Sequence, residues 1–142
     1  MKTVYLAGLM RRGVSECWQW RDEATVLLAD NFVVQNPFRG KIAAVWDTKY
    51  TLPHVTNKDI LLRDYNDVLA ADIFLVDLTE YCEEPLIGTF VEMGWAWEHR
   101  IPIVAYSKDI GSKGDHPFVN TMITSFFMSL QEACEHINGY YS

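Results

Sequence analysis

The sequence predicts a single α/β domain, residues 1–142, built on a doubly wound parallel sheet, and three observations carry that expectation. A length of 142 residues is the usual span of one compact unit. Short apolar runs alternate with segments whose apolar positions recur at helical spacing. Several of those runs are apolar without interruption, the mark of strands covered on both faces. With 49% apolar, 13% aromatic and 22% charged residues, the chain has enough oily surface for a core, which excludes a disordered polymer.

Thr3 to Ala7 is the first strand, closed by Gly8. A polar loop, Met10-Arg11-Arg12-Gly13, leads to Ser15, a good N-cap for a helix running to Asp30. Phe32-Val33-Val34 is a second strand. It stops at Asn36-Pro37 because proline cannot donate to a sheet ladder and biases the residue before it away from helix. Gly40 to Pro53 reads as a loop with room for a short helix, placing Ile42 to Val45 beside Trp46 and Tyr50. Ile60, Leu61, Tyr65, Val68 and Leu69 then set the period of a helix from Asn57 to Ala71. Ile73 to Val76 is a buried strand, Thr89 to Arg100 a helix, Ile101 to Tyr106 a strand, Ile123 to Met128 the last strand and Ser129 to Ile137 the last helix. Strands separated by helices require right-handed crossovers and place helices on both faces. Five such strands make a flavodoxin-like sheet.

Twelve basic against nineteen acidic residues give a net charge of −7, which leaves no broad phosphate-neutralising surface and excludes polymeric nucleic acid as a partner. No apolar stretch approaches a membrane span, and the apolar run at the N-terminus is too short for a signal sequence, so a cytoplasmic location is expected. Cys17, Cys82 and Cys134 lie far apart in odd number, as suits plain thiols in a reducing compartment. His54, His99, His116 and His136 show no ligand spacing, and no metal is assigned. Neither G-x-G-x-x-G after the first strand nor G-x-x-x-x-G-K-[ST] is present, so no cofactor is expected; a flavin domain would need a phosphate loop that is not apparent.

In open parallel sheets the ligand crevice lies beyond the carboxyl ends of the strands, where strand order reverses. Candidate binding positions therefore fall in the segments Gly8 to Gly13, Asn36 to Gly40, Asp77 to Gly88 and Ser107 to Asn120. Gly88 to Trp97 is apolar nearly all round, yet Glu92 interrupts it. One reading makes Thr89-x-x-Glu92 a capping box, hydroxyl and carboxylate each satisfying an orphan N–H. The other puts a carboxylate at a helix N-terminus in an apolar wall, where desolvation opposes ionisation and the helix dipole supports it. Such a group is a competent nucleophile toward an anomeric carbon.

Tyr5-Leu6-Ala7-Gly8, Asp64 followed by Asp72, and Gly88-Thr89-x-x-Glu92-x-Gly94-x-Ala96 together resemble the nucleoside 2-deoxyribosyltransferase family. The likeness extends to Trp20-Arg21, Asn36-Pro37, Ile101-Pro102-Ile103, His116-Pro117-Phe118 and Ser129 to Ala133, and so covers most of the chain. It implies transfer of deoxyribose between bases, with Glu92 as nucleophile, Tyr5 orienting that carboxylate, and Asp64 facing base and sugar near the leaving group. It also implies that Asn120 is presented to the sugar of a neighbouring subunit, within a homo-oligomer that is a dimer or a hexamer of dimers. Read from the residues alone, Asp64 beside Arg63 and Asp67 is a solvated surface aspartate, Tyr5 a core aromatic, and Asn120 a turn residue or helix cap.

Two departures qualify the likeness. Family members carry an aspartate six residues before the nucleophile, where this chain has Leu86, leaving Glu83 or Glu84 to compensate. A related branch, the 2′-deoxynucleoside 5′-monophosphate N-hydrolases, uses an arginine in the first loop to bind phosphate; Arg11 matches it, while that branch's serines are here Leu9, Leu86 and Asn120. The expected partners are a nucleoside or nucleotide and a free base. Exchange of bases is the leading expectation, hydrolysis of a 5′-monophosphate the alternative, and a non-catalytic nucleotide sensor a reading of another class, suggested by Leu86. Phe38, Trp46, Tyr50 and Trp95 are candidates for a base-stacking wall.

Overall fold

The computed structural model describes residues 1–10, 16–37, 55–79, 86–108 and 116–142. Five strands, β1 (Lys2–Gly8), β2 (Phe32–Gln35), β3 (Ile73–Asp77), β4 (Ile103–Tyr106) and β5 (Ser125–Phe127), pair in parallel in the order β2-β1-β3-β4-β5. The helices are α1 (Glu16–Leu28), α2 (Asn57–Ala70), α3 (Ile87–Glu98), α4 (Pro117–Met122) and α5 (Leu130–Tyr140). This is the flavodoxin-like arrangement expected from the alternation of strands and helices. The chain adds β2 on one side of β1 and then crosses to add β3 on the other, so the direction of winding reverses between β1 and β3. Gly8 and Asp77 face each other in register at the carboxyl ends of those two strands.

The period of two along β1 divides the core into two layers. Val4 and Leu6 pack with Trp20, Ala24, Leu28, Ala133 and Ile137 under α1 and α5. Tyr5 and Ala7 face the other way, among Val68, Phe74, Val76, Met93 and Ala96 under α2 and α3. One strand therefore sends Tyr5 toward the helix that carries Glu92.

Local chemistry sets the helix ends. Thr56 caps α2 with a full capping box: the Asp59 N–H donates to its Oγ1 at 3.1 Å, and its own N–H donates to Asp59 Oδ2 at 2.8 Å. Ser129 caps α5 by accepting from the Glu132 N–H. At the end of α3, Arg100 takes a left-handed conformation (φ 58°), and the Ile101 and Arg100 N–H groups close on the Ala96 and Trp97 carbonyls at 2.9 and 3.1 Å.

Three expectations are corrected. Helix α3 starts at Ile87, two residues before Thr89, and its N-cap, Leu86, makes no side-chain cap hydrogen bond. Thr89-x-x-Glu92 is thus an interior stretch of helix and not a capping box. Asn120 is neither turn nor cap: it lies inside α4, which His116 caps by accepting from the Phe118 N–H. The predicted N-cap Ser15 and the whole of Gly40 to Pro53 lie outside the described residues.

Candidate active site

A cleft of about 550 Å³ opens beyond the carboxyl ends of β1 and β3, at the switch point. Gly8, Leu9 and Met10 form its floor, Asn57, Ile60, Leu61 and Asp64 of α2 one wall, and Leu86 with α3 residues Ile87, Gly88, Thr89, Val91, Glu92 and Trp95 the other. The two helices lean together there, and Tyr65 packs edge-on against Trp95 with ring centroids 5.0 Å apart. Most of the lining is apolar, with a few polar groups set among it.

Glu92 sits in the second turn of α3, partly buried, and the Tyr5 hydroxyl donates to its Oε2. Tyr5 itself is fully buried. Burial, then the neighbouring carboxylates of Glu92 and Asp64, push the Tyr5 phenol well above its ordinary value of 10.0. The hydroxyl therefore keeps its proton, and its role as donor, throughout the range in which an enzyme works. Asp64 is far from a solvated surface aspartate: its side chain is only 15% exposed, it lines the cleft opposite α3, and Arg63 Nη2 lies 3.3 Å from its Oδ1. Period explains the difference. The face of α2 turned to the cleft carries Asn57, Ile60, Leu61 and Asp64, so Asp64 shares the side of two of the apolar residues that set the helix period.

Tyr5→Phe removes the donor that fixes Glu92 while leaving the ring in place. A hydrogen bond to a charged group contributes about 1.5–3 kcal/mol, so kcat should fall roughly 10- to 100-fold. A phenol whose pKa is raised by folding stabilises the native state below its unfolded value and loses that contribution as pH rises past it. Unfolding midpoints of the wild type should therefore drop above pH 10 more steeply than those of Tyr5→Phe. Equal activity in the two proteins would remove Tyr5 from the site.

The remaining expected site residues divide into three groups. Gly8, Gly88 and Thr89 line the cleft with Asp64 and Glu92. Glycine is required at position 8 by close approach: a Cβ there would lie 3.1 Å from Trp20 Cζ2 and 3.3 Å from the Asp77 carbonyl oxygen. Asp77 stands at the strand end behind Gly8 and does not line the cleft. It accepts from the Thr79 N–H at 2.8 Å and from the Tyr106 hydroxyl, and so braces the ends of β3 and β4. Asn120 is exposed on α4, outside this cleft. Arg11, Glu83 and Glu84, with Phe38, Trp46 and Tyr50 of the expected stacking wall, lie outside the described residues; Trp95 is at the cleft.

Arg21, part of the Trp20-Arg21 pair that carries the family likeness, lies at the base of the site. Arg21 is fully buried; its Nη2 donates to the Gly8 carbonyl at 3.0 Å, and its Nη1 to the carbonyls of Leu9 at 3.3 Å and Cys17. Its position was readable: Cys17, Trp20, Ala24 and Leu28 form the buried stripe of α1, and Arg21 lies on it. Among the described residues no group of three or more His, Cys, Asp and Glu side chains is arranged to hold a metal, and no helix is long and apolar enough to cross a membrane.

Comparison with known proteins bears on this geometry. No curated protein matches the chain in sequence. Among solved structures, a 2-desoxiribosyltransferase from Leishmania mexicana aligns with a TM-score of 0.73 at 19% identity over 100% of both chains. The 2-deoxyribosyltransferase of Bacillus psychrosaccharolyticus gives 0.70 at 15% identity, over 92% of this chain and 88% of that one. The CMP N-glycosidase of Clostridium botulinum gives 0.60 at 16% identity, over 98% and 100%. At such identities the likenesses speak for the fold. The sequence profile described as nucleoside 2-deoxyribosyltransferase matches residues 4–130, nearly the whole chain, and with the fold in agreement the chain belongs to the nucleoside 2-deoxyribosyltransferase family.

Proposed function

We propose that this protein cleaves the N-glycosidic bond of a 2′-deoxynucleoside through a covalent deoxyribosyl–Glu92 ester and passes the sugar to another base. The observation that carries the reading is a carboxylate in an apolar-walled cleft, held by a buried tyrosine hydroxyl, with a second carboxyl group on the opposite helix. Departure of the base builds positive charge on the sugar ring and negative charge on the base. Glu92 attacks C1′ as the C1′–N bond breaks, while Asp64 donates a proton to the leaving base. In the second half, a nitrogen of the incoming base attacks C1′, Glu92 leaves as carboxylate and the proton returns to Asp64. An apolar lining that disfavours water favours a base as acceptor.

The alternative, release of the base from a 5′-monophosphate by water, is supported by Arg11, which follows Gly8 by three positions in the sequence, since a guanidinium fork suits phosphate. One coupled screen separates the two. Each deoxynucleoside and its 5′-monophosphate is incubated with a second free base, and both the exchanged product and the released base are followed. Exchange on free nucleosides is the expected result. Base release confined to monophosphates, lost in Arg11→Ala, would replace transfer by hydrolysis, and no reaction with any purine or pyrimidine substrate would sink both. We further propose a homo-oligomeric protein, a dimer or hexamer of dimers, in which Asn120 reaches a neighbour's site. Ile87, Leu61 and Val91 on the cleft rim are 71%, 54% and 45% exposed, an apolar rim suited to cover by another subunit.

A further inference from the structure

Arg21 is a buried charge to which the proposed reaction gives no task. We infer that it is a positioning residue: its guanidinium fixes the Gly8–Leu9 floor of the cleft, and its charge keeps Glu92 in the ionised, nucleophilic form. The inference rests on the proposed role of Glu92.

A fully buried arginine must be compensated both in hydrogen bonds and in charge. The carbonyls of Gly8, Leu9 and Cys17 answer the first need at Nη1 and Nη2 but carry no net charge. The second is met by carboxylates: burial depresses the Arg21 guanidinium to about 10, while the charge of Glu92, ahead of Cys17, Tyr5 and Asp77, works against that loss. Attraction is reciprocal, so whatever Glu92 does to hold the proton on Arg21, Arg21 does to keep the proton off Glu92.

Glu92 needs such support. It is partly buried in an apolar helix. The helix terminus offers little, because α3 begins at Ile87 and the dipole acts mainly within the first turn. From α2, Asp64 faces Glu92 across the cleft, with Arg63 beside it at 3.3 Å. From β1, Tyr5 contributes a neutral hydroxyl. From β3, Asp77 is a further anion near Arg21, held by the Thr79 N–H and the Tyr106 hydroxyl. Among the described residues on the α1 side of the site, Arg21 is a cation whose charge acts on Tyr5 and whose proton Glu92 helps to hold. The same fork grips the floor on which the sugar must rest, linking the position of the substrate to the ionisation of the nucleophile.

The test is the pH profile of kcat/KM for wild type, Arg21→Met and Arg21→Lys, with thermal unfolding to establish folding. Methionine keeps bulk and removes charge; the acid limb should move up by about one pH unit, a roughly tenfold extra loss on the acid side. Lysine keeps charge and removes the fork; the limb should stay in place while the rate falls about 3- to 10-fold through a looser floor. A folded Arg21→Met whose limb is unmoved overturns the inference, because a merely structural role lowers the rate equally at every pH. Should Arg21→Met fail to fold, Arg21→Gln, which also removes the charge, takes its place: a limb displaced upward upholds the inference and an unmoved limb overturns it. Wild-type protein inactive on every substrate is a failure of the proposed function instead. The charge relation is then read without substrate: Glu92→Gln should lower the unfolding midpoint more beside Arg21 than beside Met at position 21, by roughly 2–4 °C, and equal losses overturn it.

Discussion

Glu92→Gln is expected to abolish turnover, lowering kcat by at least about 10³-fold, while the protein folds and binds substrate as before. The substitution is nearly isosteric, and the glutamine carbonyl still accepts from the Tyr5 hydroxyl, so the buried donor keeps its partner. What is lost is the negative oxygen that, in the proposed reaction, forms the bond to C1′. Wild-type protein incubated with a deoxynucleoside and no acceptor, then quenched in acid, should carry one added deoxyribosyl unit by intact mass, and Glu92→Gln should carry none. The outcome also bears on the non-catalytic reading prompted by Leu86. A sensor would bind the ligand equally in both proteins and show neither turnover nor adduct in either. Binding measured by calorimetry beside the rate assay distinguishes a dead enzyme from a receptor.

The fold was legible because its central strands, β1, β3 and β4, are buried on both faces. Ile73 to Val76 cannot be anything but a covered strand without a polar residue to mark an outside, and the structure extends it by one residue, to Asp77. Elements whose ends rest on tertiary contact were less legible. Leu86, Ile87 and Gly88 hold neither a capping side chain nor a periodic pattern, so Thr89 looked like the natural start of α3; the helix begins earlier with an apolar, buried N-cap. Helix α4 has six residues, too few for a period to show, although its His116-Pro117 start is a legible signal in hindsight.

The same contrast holds at the site. Glu92 was readable because a lone acid in an apolar helix is a local contradiction, visible without coordinates. Tyr5 was readable only through likeness, because its meeting with Glu92 spans 87 residues of chain and depends on which face of β1 turns toward α3. Asp64 misled for the opposite reason. A cleft is itself a surface, and period alone cannot distinguish a helix face turned to bulk water from one turned to a walled pocket. Arg21 was hidden by a habit of reading charge as exposure, although the stripe of Cys17, Trp20, Ala24 and Leu28 already passes through it.

Asp64→Asn is expected to produce the second largest loss, about 10²- to 10⁴-fold in kcat, and the size of the loss should depend on the leaving group. In the proposed reaction the Asp64 carboxyl group, 15% exposed on the wall facing Glu92, protonates the departing base. Asparagine occupies the same volume and still hydrogen-bonds, but it has no proton to give. A base that leaves only when protonated should therefore suffer the full penalty. An activated deoxyriboside whose aglycone departs as a stable anion needs no acid and should be cleaved at close to the wild-type rate. Formation of the Glu92 ester from that activated substrate should stay fast while its transfer to an ordinary base slows, because the second half-reaction uses Asp64 to accept the proton of the incoming base. If both substrates lose activity to the same extent, Asp64 orients the sugar instead, and the proton must come from elsewhere on the cleft.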